Sequence, residues 1–246
     1  MLNRIKSVFR PLSYIPLLEW PRFLAYRRGL GSGETVFHVK GVAHGLRVRA
    51  ATTDAVTMGY VFGDAYHLPR HRLKDDCVIL DLGANAGYAA AHLASMYPKA
   101  RVIAVELDTE NAELARRNLV PFDRCELVNA AIWITDGEVG YSGITKDGYA
   151  ITGGGISKAA AITIEKLLDD RGIKIADFVK MDIEGAEWPL FQQPTWLSRI
   201  NSISVEVHQP EWLEPIEAAL IKAGFRTARS DTHWSCIFAH RDFAVS

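Results

Sequence analysis

The 246-residue chain carries 28 Lys and Arg against 29 Asp and Glu, a formal net charge of -1, with 48% hydrophobic and 23% charged residues. That balance describes a soluble globular protein with no global basic face for nucleic acid, and no apolar run approaches the roughly 20 residues that span a bilayer. Three scattered cysteines, Cys77, Cys125 and Cys236, make no CxxC pair, which predicts reduced, buried thiols in a cytoplasmic protein rather than disulfide, redox or zinc chemistry.

Residues 1 to 30 concentrate Arg4, Lys6, Arg10, Arg22, Arg27 and Arg28 against Glu19 alone, interleaved with aromatic and aliphatic residues. Such a segment is either a pair of short helices with its arginines in water or a peripheral contact with an anionic membrane surface. Prolines at 11, 16 and 21 and the lack of a long apolar stretch argue against a secretory leader. Next, "ETVFHVKGVAHGLRVRA", residues 34 to 50, alternates around Gly41 and Gly45 as a β-hairpin does. A helix and a loop marked by Pro69 complete an N-terminal extension, residues 1–74, ahead of the main domain, residues 75–246.

From residue 77 strands and helices alternate. "CVILDL" reads as a buried strand, "GANAG" as a turn and 87 to 96 as a helix. "RVIAVEL", a helix that Thr109 is placed to cap, and "CELVNAAIW" as a third strand follow. Residues 135 to 161, with Gly153, Gly154 and Gly155 in a row, are long for a connection and predict a lid or a decorated hairpin. A helix over 164 to 170, strands at "ADFVKMD" and "SISVEVH", a helix ending at Ala223 and two tail strands complete the pattern. Uniformly apolar strands alternating with helices imply a parallel sheet covered on both faces. Ligands of such sheets bind outside the carboxyl ends of the strands, at the topological switch point.

That rim carries a set of polar residues. Asp81 precedes Gly83 and Gly87 in "DLGANAG", and Glu106 stands about one helix and one strand further on, where an acid binds the two hydroxyls of a ribose. The dinucleotide fingerprint requires glycine where this chain has Asn85, and a pyrophosphate would be repelled by Asp81. S-adenosylmethionine has adenosine, an ammonium and a sulfonium but no phosphate, and fits the acids better.

In "VILDLGANAGYAAAHLA", "VIAVELDTENAELARRNL", "ADFVKMDIEGAE" and "SISVEVH" the chain resembles the FkbM-type S-adenosylmethionine-dependent methyltransferases, over roughly residues 60 to 240. The resemblance implies the class I methyltransferase fold, a Rossmann-like, mostly parallel seven-stranded sheet whose last strand is antiparallel. It also implies methyl transfer, usually to oxygen, on sugars, lipids or secondary metabolites. Family members often carry a Tyr-Glu pair upstream of the first strand, where this chain has Tyr66 followed by His67.

Asp182, at the end of the fourth strand, is then expected beside the methionine end of the cofactor, with Glu184 and Glu187 opening the next helix. These carboxylates are suited to hold an ammonium, to bind a divalent ion or to take a proton. A hydroxyl nucleophile needs a base or a metal, and His208 is the expected base. The metal alternative places Mg or Mn among Asp182, Glu184, Glu206 and His208. Asn129 and Ala130 are expected near the adenine, and Trp133, Tyr141, Tyr149, Trp188, Trp212 and Trp234 are read as either a sugar- or lipid-facing wall or core. Two further readings are a nicotinamide-dependent oxidoreductase and a non-catalytic membrane-surface protein that keeps a methyltransferase fold.

Overall fold

A computed structural model describes residues 13–145, 148–151, 157–231 and 233–241, without the side chains of 143–145 and 148–151. Arg4, Lys6 and Arg10 of the basic segment, the three consecutive glycines and the Tyr149 side chain lie outside the described residues. The described part of that segment forms a turn and α1 (Trp20–Arg27), which buries Phe23 and Tyr26 and leaves Leu17 71% and Leu18 96% exposed.

The expected hairpin is present as β1 (Glu34–Phe37) and β2 (Leu46–Arg49), paired antiparallel. A short helix, α2 (Asp54–Met58), then runs into a π-helical turn over Gly59–Asp64. This layer shares one core with the sheet behind it: Phe23, Phe37, Leu46 and Met58 cluster with Ile79, Ala90, Leu93 and Val102. A buried charge pair reinforces the contact, with Arg49 Nη2 2.8 Å from Asp54 Oδ1 and donating to Asn111 Oδ1 at 2.7 Å. The described residues before 74 are therefore a layer of the same hydrophobic body, continuous with it in core and hydrogen bonding.

The main sheet is built by β3 (Val78–Leu82), β4 (Arg101–Glu106), β5 (Cys125–Asn129), β10 (Phe178–Met181), β11 (Ser202–Glu206), β12 (Arg226–Arg229) and β13 (Cys236–His240). Its order is β12-β13-β11-β10-β3-β4-β5. The strands from β5 across to β11 run parallel, and β13 is antiparallel to both β11 and β12. Seven strands with an antiparallel last member are what the resemblance implies, and the parallel strands alternating with helices are what the sequence pattern implies. The chain leaves β3 toward β4 on one side and returns to β10 on the other, so the switch point lies between β3 and β10.

Two expectations are corrected. "CELVNAAIW" is not one strand: β5 ends at Asn129, and β6 (Ala131–Ile132) belongs to a second sheet with β7 (Gly137–Thr145), β8 (Gly148–Ile151) and β9 (Ser157–Ile162), in the order β6-β9-β7-β8. The insertion is thus the decorated hairpin of the two alternatives, since β7 pairs antiparallel with both β8 and β9. Helices α3 (Tyr88–Met96), α4 (Thr109–Leu119), α5 (Ile164–Asp169), α6 (Glu187–Gln192) and α7 (Leu213–Lys222) fall within two residues of the expected ends where these were given. The cap of α4 is Asp108 rather than Thr109: its carboxylate accepts from Asn111 N at 2.9 Å, in the extended conformation that a cap requires. Replacing Asp108 by Ala is expected to cost about 1 kcal/mol, read as a fall of roughly 2–4 °C in melting temperature by circular dichroism.

Candidate functional site

At the switch point a cleft of about 340 Å³ is lined by Tyr66, Gly83, Ala84, Asn85, Lys180, Asp182, Glu184, Glu206, His208 and His233, with Thr57, Tyr60, Val61, Tyr88 and Ala89 closing one side. The stretches 83–89, 180–184 and 206–208 converge because β3, β10 and β11 run parallel and present their carboxyl ends to this rim.

The glycine turn explains one wall. Gly83 has φ +78°, and a Cβ there would lie 1.7 Å from the Asp182 carbonyl oxygen, so only glycine lets the turns after β3 and β10 touch. Gly87 has φ +80° and packs against Ala115 of α4 in the same way. The turn spends its backbone donors internally. Gly83 N and Ala84 N donate to Val105 O at 3.0 and 2.9 Å, and Gly87 N donates to Ala84 O at 2.8 Å. Asn85 N donates to Glu106 Oε2 at 2.8 Å and Ala86 N to Asn85 Oδ1 at 2.6 Å. A pyrophosphate needs those N–H groups free, so the turn suits a cofactor without phosphate.

Glu106 stands where the sequence places it, at the end of β4 beside the turn. Its other oxygen accepts from Asp108 N at 2.9 Å. Burial pushes its carboxyl up to about 7, against the pull of its two backbone donors. Asn129 and Ala130 sit at the rim but not in the cleft wall: Asn129 Nδ2 donates to Glu106 O and Leu107 O at 2.8 and 3.1 Å, and Ala130 is buried. They brace the ends of β4 and β5.

The crowded carboxylates of "MDIEGAE" have different tasks. Glu187 is fully buried and accepts from Ile183 N at 3.2 Å and Gly185 N at 2.9 Å, which folds the turn back on itself. Glu184 takes a left-handed φ of +53°, followed by Gly185 at +98°, and this aims it at the cleft. Asp182 accepts from the Tyr66 hydroxyl at 3.1 Å. His208 sits among them, with Nδ1 2.8 Å from Glu187 Oε1 and Nε2 3.2 Å from Glu184 Oε2 and 3.5 Å from Asp182 Oδ1.

That position changes the chemistry expected of His208. Burial alone would lower its pKa, but hydrogen bonds to Glu184 and Glu187 and the charges of Glu187 and Asp182 push it up to about 11. Three carboxylates around the ring favour its imidazolium form, in which both nitrogens donate, so the position favours holding a proton over taking one from a nucleophile. Asp182, Glu184 and His208 bring ligand atoms within 4.8 Å of one another. A divalent ion at that point has to displace the proton His208 supplies.

Glu206 has the opposite property. Burial, followed by the charge of Asp182, pushes its carboxyl up to about 7 while it faces the cleft. The sequence reading overlooked Lys180, Tyr66 as a cleft residue and His233. Lys180 lies one residue from the end of a uniformly apolar strand, and its buried charge is the one signal that could have singled it out. His67, the departure from the family pattern, turns away from the cleft, with Nε2 3.0 Å from His92 Nδ1. The aromatics of the cleft are Tyr60, Tyr66 and Tyr88, and of the two readings of the tryptophans it is core that holds for Trp133, Trp188 and Trp212. Trp133, Trp188 and Trp212 pack against the core, Tyr141 is buried and Trp234 is 60% exposed.

The strand order, the tight glycine turn and the acid at the end of β4 together define a class I methyltransferase sheet. The model of the FkbM methyltransferase domain matches residues 81–227. The chain belongs to the FkbM methyltransferase family. The 2-O-methyltransferase NoeI of Sinorhizobium fredii (strain NBRC 101917 / NGR234) is 31% identical over 135 residues, 46% of this chain and 56% of that protein. The match therefore spans little more than half of that relative's length. Among solved structures, the methyltransferase FkbM of Methylobacillus flagellatus KT is similar at 16% identity and a TM-score of 0.45, covering 76% of this chain and 54% of that one. Precorrin-6y C5,15-methyltransferase from Geobacter metallireducens GS-15 is similar at 17% identity and a TM-score of 0.45, covering 70% of this chain and 83% of that one. Neither the oxidoreductase reading nor the non-catalytic one finds support in these relatives. No helix among the described residues is long and apolar enough to cross a membrane.

The raised groups set a pH dependence. His208 is raised from 6.5 to about 11, so its stabilising contribution is complete below its unfolded value and is lost as pH climbs through the folded one. Glu106 and Glu206, raised from 4.5 to about 7, also bind more protons folded than unfolded, so stability falls across that window too. The melting temperature of the ligand-free protein is expected to fall from about pH 6 to about pH 9. His208→Asn is expected to flatten the part of that fall above the ordinary imidazole range.

Proposed function

We propose that the chain is an S-adenosylmethionine-dependent methyltransferase that methylates a hydroxyl oxygen of a sugar, glycolipid or other small secondary metabolite. The observation that carries this reading is the cleft itself, walled by Asp182, Glu184 and Glu206 beside a glycine turn with no N–H group left for phosphate. Family membership and a relative described as a 2-O-methyltransferase support it. The bound cofactor would supply an electrophilic methyl on a sulfonium whose leaving group is neutral.

In this reading Glu106, beside the turn, is the acid for the ribose hydroxyls, and the acidic wall of Asp182 and Glu184 suits the cationic methionine end. Alignment is the main contribution of such a site and reaches about 7–11 kcal/mol in favourable cases. The hydroxyl also has to lose a proton. Glu206 is the group suited to receive it, because a carboxyl near pH 7 balances availability against proton affinity. His208 steadies the carboxylates around it as their counter-charge. A Mg or Mn ion at Asp182, Glu184 and His208 is the competing way to neutralise them.

Isothermal titration with S-adenosylmethionine, S-adenosylhomocysteine and NADH, with and without Mg, tests the cofactor. Binding of the two sulfur compounds and not NADH is expected, and binding of NADH alone overturns the reading. With an acceptor in hand, Glu206→Gln is expected to lower turnover by about 10²–10⁴-fold, with cofactor affinity nearly intact and the acidic limb of the pH profile lost.

A further inference from the structure

The sequence reading counts Asp81 among the acids that face the cationic cofactor. The structure does not: Asp81 is fully buried, contributes nothing to the cleft wall and pairs with Lys180, whose Nζ is 3.2 Å from Asp81 Oδ1. Lys180 does reach the cleft. It donates to the Gly83 carbonyl at 2.6 Å and stands 3.6 Å from Asp182 Oδ2. The side chain is 5% exposed, so water does little to screen it.

An ammonium in the wall of a cleft that takes a cationic cofactor is an electrostatic burden. Methyl transfer converts that cofactor from a sulfonium to a neutral thioether, so a net charge nearby weights substrate and product differently. Burial opposes the Lys180 charge, but Asp81 and then Asp182 more than offset it and hold the group protonated. Of the two carboxylates that flank the ammonium, Asp81 lies away from the cleft and Asp182 in its wall.

We propose that Asp81 acts through Lys180 as a positioning residue, and that the charge balance of this pair sets the preference of the site for the sulfonium cofactor over the thioether product. The inference rests on the cofactor reading above. Neutralising Asp81 removes one of the two carboxylates that flank the Lys180 ammonium, leaves the wall more positive by one charge and penalises the sulfonium alone. Removing the ammonium does the reverse and also frees Asp182 of a cationic neighbour. Removing both charges restores the balance. A purely structural pair would lower both affinities together.

The test is calorimetric titration of the full chain with S-adenosylmethionine and with S-adenosylhomocysteine, for wild type, Asp81→Asn, Lys180→Met and the double variant, each checked for folding by circular dichroism. The ratio of the two affinities is expected to shift about tenfold toward the thioether in Asp81→Asn, to shift the other way in Lys180→Met, and to return near the wild-type ratio in the double variant. If Asp81→Asn does not fold, Lys180→Met and the double variant still have to differ in the stated direction. A ratio that stays at the wild-type value in the folded variants overturns the inference and leaves the cofactor reading intact. Wild-type protein that binds neither compound overturns both.

Discussion

Everything at this site depends on two turns that touch. The turn after β3 and the turn after β10 approach until Gly83 leaves no room for a Cβ against the Asp182 carbonyl, and Asp182 N continues the ladder by donating to Leu82 O at 3.0 Å. Lys180 crosses the seam, with its ammonium on the Gly83 carbonyl and between two aspartates. A buried pair of this kind gains little net stability, because desolvation consumes most of its attraction. What it supplies is register: the glycine turn after β3 and the acidic turn after β10 cannot shift independently.

The acidic cleft follows from that contact. Glu187, Glu184 and Asp182 are drawn into one place by a turn that Glu187 itself ties off, and His208 enters from the neighbouring strand to carry the compensating charge. The cost appears in the backbone, where Asn85 and Glu184 hold left-handed conformations at φ +49° and +53°. Strain of this kind collects where a side chain must face a ligand and the surrounding structure over-determines it. Burial sets Glu106 and Glu206 apart, with both carboxyls pushed up to about 7 and Glu206 raised further by the charge of Asp182.

Most of the fold was legible from periodicity. Apolar runs of strand length, alternating with helices that start near Asp or Thr and end near Gly, admit few arrangements other than a doubly wound sheet. Where the reading missed, a tertiary contact outweighed the local pattern. The run "CELVNAAIW" has no breaker in it, yet it is divided between two sheets because β9 offers Ala131 and Ile132 a second partner. Thr109 and Asp108 are equally good caps by type, and Asp108 takes the position because Glu106 already holds its N–H.

The sequence by itself determined the sheet, the location of the cleft at the carboxyl ends of its strands, and the presence there of Gly83, Asn85, Asp182, Glu184 and His208. These depend on spacing along one strand and its turn, which short-range geometry dictates. Only the tertiary structure decided what each polar group does. Whether Asp81 meets a ligand or Lys180, and whether His208 takes a proton or already has one, depends on charges brought together from elements more than twenty residues apart. Charge interactions act through space and burial, and neither is written in local sequence.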